Sequence, residues 1–245
     1  MSRSGSILWL AMRSEDADHV LRLPLFQSCT PAVAERLVQM SFLQRFPTGV
    51  LLTRQGTRPD FLHVVVEGAA ELFATYHASE ATVAVLRPHA VFPLESVIAD
   101  DPQLNSGRTL DASKILMVPA EPVRAAITSD AGFAAAVARE LAGTHRLAVR
   151  ELQSQKLRTS LERLANWILI TRRDQGETTA ITLPFQKRTL ASLIGTSPEN
   201  LSRNFQALTE HGVEIRGSRL VITDVDALVN LARPSPELDD IPHES

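Results

Sequence analysis

Glu199, Asn200, Ser202 and Arg203 stand close together on what reads as the first turns of a helix. Arg203 presents a planar guanidinium fork that matches the O6 and N7 acceptors of guanine, and Glu199 can accept from the amino group of cytosine, so the two could read one G·C pair. Ser202 and Asn200 can reach a phosphate or a neighbouring base edge. The same Glu199 and Arg203 could instead form a surface ion pair one helical turn apart. The flanking residues favour the first reading. A helix beginning near Arg188 stops at Gly195, and the next opens with Ser197 as N-cap and Pro198 at the first helical position, signals that a surface ion pair does not need. Leu190, Leu193, Ile194, Leu201, Phe205 and Leu208 supply a shared interior for this helix, turn and helix, and Lys187 and Arg188 lie where they could hold a nucleic-acid backbone.

Downstream, Val213-Glu214-Ile215-Arg216 and Arg219-Leu220-Val221-Ile222 read as two short strands around a Gly217-Ser218 turn, the wing of a winged helix-turn-helix. Arg216 and Arg219 could touch phosphates there, or the wing could be structural only. The overall formal charge of −3 gives no hint of nucleic acid, but residues 156–233 carry 11 Lys and Arg against 8 Asp and Glu. Residues 1–155 carry 14 against 16, and the tail 0 against 4, so the basic excess coincides with the helix-turn-helix.

Other chemistries are poorly served. A single cysteine, Cys29, allows neither an intramolecular disulfide nor an iron–sulfur cluster held by several thiolates of one chain. A cupin-type metal enzyme needs two closely spaced histidines with a glutamate and a later histidine. His63 and His77 are isolated and Glu67 alone does not complete such a set, so the chain is read as non-enzymatic. No run approaches the roughly 18 apolar residues of a membrane span, which leaves no membrane partner and puts the expected location in the cytoplasm.

The elements that must position the motif give an α+β chain: an N-terminal β-roll (cupin-like jelly roll), a long dimerisation helix and a C-terminal winged helix-turn-helix. Residues 1–24 are an N-terminal extension. Residues 25–130 form the β-roll, where short apolar runs such as Leu62-His63-Val64-Val65-Val66 and Ile115-Leu116-Met117-Val118 alternate with turns at Gly49, Gly56 and Gly68. Residues 131–155 form one long helix in which Val137, Leu141, Thr144, Ala148 and Leu152 recur at four- and three-residue steps. That narrow stripe suits a seam with a second copy; the alternative is packing on the β-roll of its own chain. Residues 156–233 form the winged domain, opening with a helix over about 157–173 that puts Leu157, Leu161, Leu164, Ala165 and Ile168 on one face, and residues 234–245 are expected to be a disordered tail.

With these residues in view, the chain resembles the superfamily of the cyclic-AMP receptor protein and the fumarate–nitrate reduction regulator over about residues 25–230. Glu199-Asn200-Leu201-Ser202-Arg203 is similar to the Glu-x-x-Ser-Arg recognition core of its oxygen- and nitric-oxide-responsive branches. The resemblance implies a homodimer on palindromic double-stranded DNA with TTGA-like half-sites, with Glu199, Ser202 and Arg203 as base readers and Ser197 and Asn200 nearby, and RNA polymerase as the expected protein partner. Cyclic-nucleotide binders of the family carry a phosphate cassette of Gly-Glu, a short helix and Arg-Ser/Thr-Ala. Here Val91-Phe92-Pro93-Leu94-Glu95 stands in its place, Arg108-Thr109-Leu110 is offset by several residues, and the preceding turn is Pro88-His89-Ala90, which argues against cyclic AMP. A cyclic-nucleotide-responsive regulator is therefore the alternative reading. Haem, an oxidisable thiol, a small organic ligand or no ligand remain as family options, with His63, His77, His89, His145 and Cys29 as candidate axial haem ligands.

Overall fold

Leu62, Val64 and Val66 project from one face of a strand and His63 and Val65 from the other, and all five are buried. A strand covered on both faces needs a layer on each side. The computed structural model, which describes residues 14–217 and 219–239, supplies both layers within the first of two compact units, Met1–Gly143 and Thr144–Ser245.

The first unit is an eight-stranded β-roll with helices on one side. Its strands are β1 (Phe42–Phe46), β2 (Leu51–Thr53), β3 (Phe61–Glu67), β4 (Ala70–Tyr76), β5 (Ser79–Leu86), β6 (Val91–Phe92), β7 (Ser106–Thr109) and β8 (Ser113–Pro119). They pair antiparallel in two sheets of order β1-β8-β3-β6 and β2-β7-β4-β5. Val65, Ala70, Phe92 and Ile115 form a small apolar cluster with Leu72 and Met117 packed against it. The opposite face of β3 and β8 buries Leu62, Val64, Leu116 and Val118 against helical residues. Those come from α1 (Ser14–Leu21), α2 (Pro24–Gln27), α3 (Pro31–Gln39), α4 (Leu94–Ala99, between β6 and β7), α5 (Ala120–Ser129) and the start of α6 (Ala131–Leu157). Gly68, at φ +83°, makes the β3–β4 turn, and a Cβ there would stand 2.5 Å from Ser113 Oγ and 2.8 Å from Ala112 O, so no other residue fits. Asp130 fastens α6: one carboxylate oxygen accepts from Phe133 N at 2.7 Å, the other from Thr30 N and Oγ1 at 2.9 and 2.6 Å.

The second unit holds the last turns of α6, then α7 (Ser160–Asp174), β9 (Ala180–Thr182), α8 (Lys187–Leu193), α9 (Pro198–Ala207), a 3₁₀ turn (Leu208–His211), β10 (Val213–Arg216), β11 (Arg219–Ile222) and α10 (Val225–Ala232). The sheet order is β10-β11-β9, all antiparallel. Leu164, Ala165, Ile168, Ile181, Leu190, Leu201, Phe205, Leu220 and Leu228 meet in one core.

Four expectations need correction. The segment preceding residue 25 is not a mere extension, because α1 and the loop after it bury Val20 and Leu23 in the β-roll core; residues 1–13 lie outside the described residues. Val137, placed on a dimer seam, is 4 % exposed in its own chain, because the first turns of α6 cover the apolar cluster under β3 and β8. Leu141 packs partly against the same cluster, whereas Thr144, Ala148 and Leu152 are exposed. Leu157, placed inside the winged domain, ends α6 and is 70 % exposed, because the Thr159–Glu162 capping box starts α7 three residues later than expected. Finally, residues 234–239 are not disordered. Asp239 is buried against Arg158, with oxygen to nitrogen distances of 2.7 and 2.8 Å; residues 240–245 lie outside the described residues.

One buried group makes the β-roll sensitive to acid. His63 lies opposite Phe92 in the β3–β6 register and stacks on its ring at 5.1 Å, and neither of its ring nitrogens has a hydrogen-bond partner among the described residues. Burial lowers its pKa from 6.5 to about 4. The unfolded chain therefore takes up a proton below pH 6.5 that the native chain refuses until about pH 4. Stability falls across that window by roughly 3 kcal/mol in total. Replacing His63 with Leu is expected to abolish that component. Urea unfolding between pH 7.5 and 4 should show His63→Leu gaining steadily on the natural protein as pH falls, and a pH-independent difference between the two would refute the assignment.

Candidate nucleic-acid interface

The recognition segment is built from the inside outwards. Leu201 and Phe205, one turn apart on α9, are buried against the α7–α8 core, which forces the opposite face of α9 to solvent. Glu199, Asn200, Ser202 and Arg203 all lie on that exposed side, as the sequence predicts. Ser197 caps the helix, its hydroxyl accepting from Asn200 N at 3.2 Å, and Pro198 follows it. Gly195 turns the chain between α8 and α9 at φ +64°.

The electrostatics of the exposed face suit base reading. The Glu199 carboxyl is held below the usual carboxylate range by its own backbone amide, by the Ser197 hydroxyl and by the charge of Arg203, so it is an ionised acceptor at neutral pH. Among the described residues Arg203 makes a long 3.4 Å contact to Asn200 Oδ1, which leaves most of its donor fork to solvent. Ser202 donates to Pro198 O at 3.0 Å and keeps its lone pairs for an incoming donor. Lys187 and Arg188 are exposed at the start of α8, and the Lys187 ammonium stands 5.4 Å over the Phe205 ring. Arg216 and Arg219 are exposed at the ends of β10 and β11, where Arg216 pairs with Glu214 at 2.8 Å, an exposed pair that water screens.

Three residues that position this face escaped the sequence reading. Arg163 on α7 donates from Nε to Ile194 O at 2.7 Å, from Nη2 to Gly195 O at 3.1 Å and from Nη1 to Arg158 O at 2.5 Å. Asn204 on α9 donates to Ser160 Oγ at 2.9 Å. The Gln155 side chain fills the space where a Cβ on Gly195 would lie, 2.5 Å from Nε2. Apart from the Arg163–Arg158 bond, which is local, each contact spans roughly thirty to forty-five residues of chain, beyond the reach of periodicity or capping signals.

On the β-roll, an open recess of about 530 Å³ is lined by Leu51, Arg54, Gln55, Phe73, Thr75 and Ser106. Arg108 lies over the Phe73 ring at 4.2 Å and pairs with Glu71 and Glu80, each at 2.7 Å. Burial works to lower its pKa, but hydrogen bonds to Glu80 and Glu71 outweigh it and raise the group above its ordinary value. Glu71 is itself 2 % exposed and also accepts from the Thr82 hydroxyl.

The five candidate haem ligands are not brought to this recess. His63 is stacked inside the roll, His77 sits at the β4–β5 hairpin with its ring against Tyr76, His89 lies on the β5–β6 turn and His145 is exposed on α6. Cys29 packs beside the helical cluster, where burial first and then the Asp130 charge push its thiol up to about 11, away from the thiolate that iron prefers.

Comparison with known proteins places both units. Residues 162–231 match the family model of a Crp-like helix-turn-helix domain, and residues 43–130 match that of a cyclic nucleotide-binding domain. The chain is 29% identical over 194 residues to the cyclic AMP receptor protein of Thermus thermophilus, covering 78% of this chain and 87% of that protein. Among solved structures, a transcriptional regulator of the crp/fnr family from Eubacterium rectale superposes with a TM-score of 0.72 at 16% identity, over 86% of this chain and 98% of that one. FixK2 from Bradyrhizobium japonicum does so with a TM-score of 0.69 at 20% identity, over 80% and 98%. A β-roll of the cyclic nucleotide-binding type, followed in order by a long helix and a Crp-like helix-turn-helix, makes this chain a member of the CRP/FNR family of transcription regulators.

Proposed function

We propose that this DNA-binding regulator acts as a homodimer on palindromic DNA with TTGA-like half-sites, and that Glu199, Ser202 and Arg203 read the bases. The observation that carries the reading is the solvent-facing set Glu199, Asn200, Ser202 and Arg203 over the buried Leu201 and Phe205 on the first turns of α9. In a major groove, Arg203 donates twice to guanine and the ionised Glu199 accepts from cytosine, while Lys187, Arg188, Ser197, Asn200, Arg216 and Arg219 meet phosphates or nearby edges. The homodimer reading is supported by α6, where Leu147 and Leu152 are 55 % and 56 % exposed in the single chain and Ala148 lies beside them. RNA polymerase is the proposed protein partner, and no described helix is long and apolar enough to cross a membrane.

The β-roll is proposed to receive the controlling signal and to bias the pairing of the two α6 helices, which sets the separation of the two recognition helices. The arrangement at Arg108 favours an effector other than a cyclic nucleotide. Its guanidinium is already neutralised by Glu71 and Glu80, and Leu94 begins the short helix α4 where the cassette needs a glycine neighbourhood. The relative from Thermus thermophilus carries cyclic AMP in its name, which makes that nucleotide the first ligand to test.

Two experiments check these readings. In mobility-shift titrations, Arg203→Ala is expected to lose 10- to 100-fold in affinity for a TTGA-like palindrome, equivalent to roughly 1–3 kcal/mol, and to stop discriminating at the contacted guanine. Lys187→Ala is expected to weaken all sequences about equally and to lower the salt slope by about 1. Unchanged sequence preference in Arg203→Ala would defeat the assignment. In a thermal melt, a ligand at about 100 times its Kd adds roughly 2.7 kcal/mol. Millimolar cyclic AMP is expected to leave the melting temperature unchanged to about 1 °C, and a saturable rise of several degrees would reject the effector reading.

A further inference from the structure

The elbow between α6 and α7 is gripped by two independent sets of contacts, and one of them comes from the segment after α10. Arg233 takes a left-handed conformation, φ +46°, at the end of α10 and turns the chain back. Residues 234–239 then close on themselves, Ser235 O accepting from Leu238 N and Asp239 N at 3.1 and 2.8 Å. The Asp239 carboxylate meets the Arg158 guanidinium end on, Oδ1 to Nη1 at 2.7 Å and Oδ2 to Nη2 at 2.8 Å. Both side chains are nearly out of water, at 7 % and 5 % exposure. Each partner makes a further hydrogen bond: Arg158 Nη2 donates to Arg233 O at 3.1 Å and Ser235 N donates to Asp239 Oδ2 at 2.8 Å. Asn166 ties the end of α10 to α7 by donating to Ala232 O at 2.6 Å.

Arg158 is the residue between the last turn of α6 and the Thr159 cap of α7. Its side chain is held by residues 233–239, and its carbonyl is held by Arg163, which also holds the two carbonyls of the helix-turn-helix turn. We infer that residues 234–239 form a strap whose Asp239 locks Arg158, making the two positioning residues that fix the direction of α9 relative to the end of α6. A buried bidentate pair with further hydrogen bonds on both partners resists bending far more than an exposed pair does. The last turns of α6 and the recognition helix then move as one body, and any hinge that transmits a β-roll signal lies upstream of Gln155.

The inference rests on the DNA-reading function only for its second readout. Deleting residues 234–245 opens Arg158 to water instead of stranding it as a buried lone charge, so the shortened chain should fold; Asp239→Asn keeps the strap and removes the charge. By hydrogen–deuterium exchange, amides of residues 157–162 are expected to exchange at least tenfold faster in both variants, with protection in residues 163–174 of α7 and in α9 unchanged. On DNA, both variants should keep their preference for the correct half-site sequence. They should lose at least fivefold of the discrimination between the best half-site spacing and one lengthened by a base pair. Unchanged exchange at 157–162, or faster exchange spread through residues 163–174 of α7 and α9, would overturn the strap. Failure of the unaltered protein to bind the palindrome would defeat the DNA reading alone, and the exchange data would still decide the strap.

Discussion

The carbonyl groups left over where helices end set the terms for the DNA-reading unit. The last four carbonyls of a helix have no partner within it, and two such ends, those of α6 and α8, come together near the turn that carries the recognition helix. One guanidinium serves carbonyls just past both ends: Arg163 donates to Arg158 O after α6 and to Ile194 O and Gly195 O after α8. Its planar fork can serve several fixed acceptors at once, which an ammonium on a flexible stem does less well. Gly195 suits this turn because its φ of +64° is one that L side chains rarely adopt, and the Gln155 amide lies where a Cβ would stand. The direction of α9 therefore follows from how backbone acceptors near its start are satisfied, while its own exposed residues stay uncommitted for a ligand.

The β-roll distributes charge in the opposite way. There Arg108 is bound to two carboxylates and laid over Phe73, so this cation is internally neutralised. On the DNA-reading unit, Lys187, Arg188, Arg203 and Arg219 are exposed. Exposed cations contribute long-range attraction to a polyanion, whereas a paired one contributes shape and specificity. The two units thus carry the same residue type for different ends, and only the pairing distinguishes them.

The helix α6 shows how one regular element serves two surroundings. Its first turns bury Phe133, Ala136 and Val137 under the β-roll, fixed by the Asp130 cap, and the turns that follow leave Leu147, Val149 and Leu152 in water. A stripe with uniform spacing in sequence is therefore divided in space. Packing in the first turns determines where the helix sits on its unit; the uncovered turns hold the apolar surface that a second copy of the chain would remove from water.

What the sequence determined by itself was whatever depends on neighbours within a turn or two. The Gly195 stop, the Ser197-Pro198 start, the amphipathic face of α9 and the alternating strands of the roll are local in this sense, and the exposure of Glu199, Asn200, Ser202 and Arg203 followed from them. Tertiary structure decided the rest, because a hydrogen bond or ion pair between distant residues leaves no periodic trace in the chain. Arg163 reaching the α8 end, Asp239 closing on Arg158, Arg108 claimed by Glu71 and Glu80, and Val137 turned into its own core all join partners far apart in sequence. Composition made the last residues look disordered for the same reason: two prolines and a run of acids describe a segment unable to build a core, but one buried arginine elsewhere was enough to hold its first six residues in place.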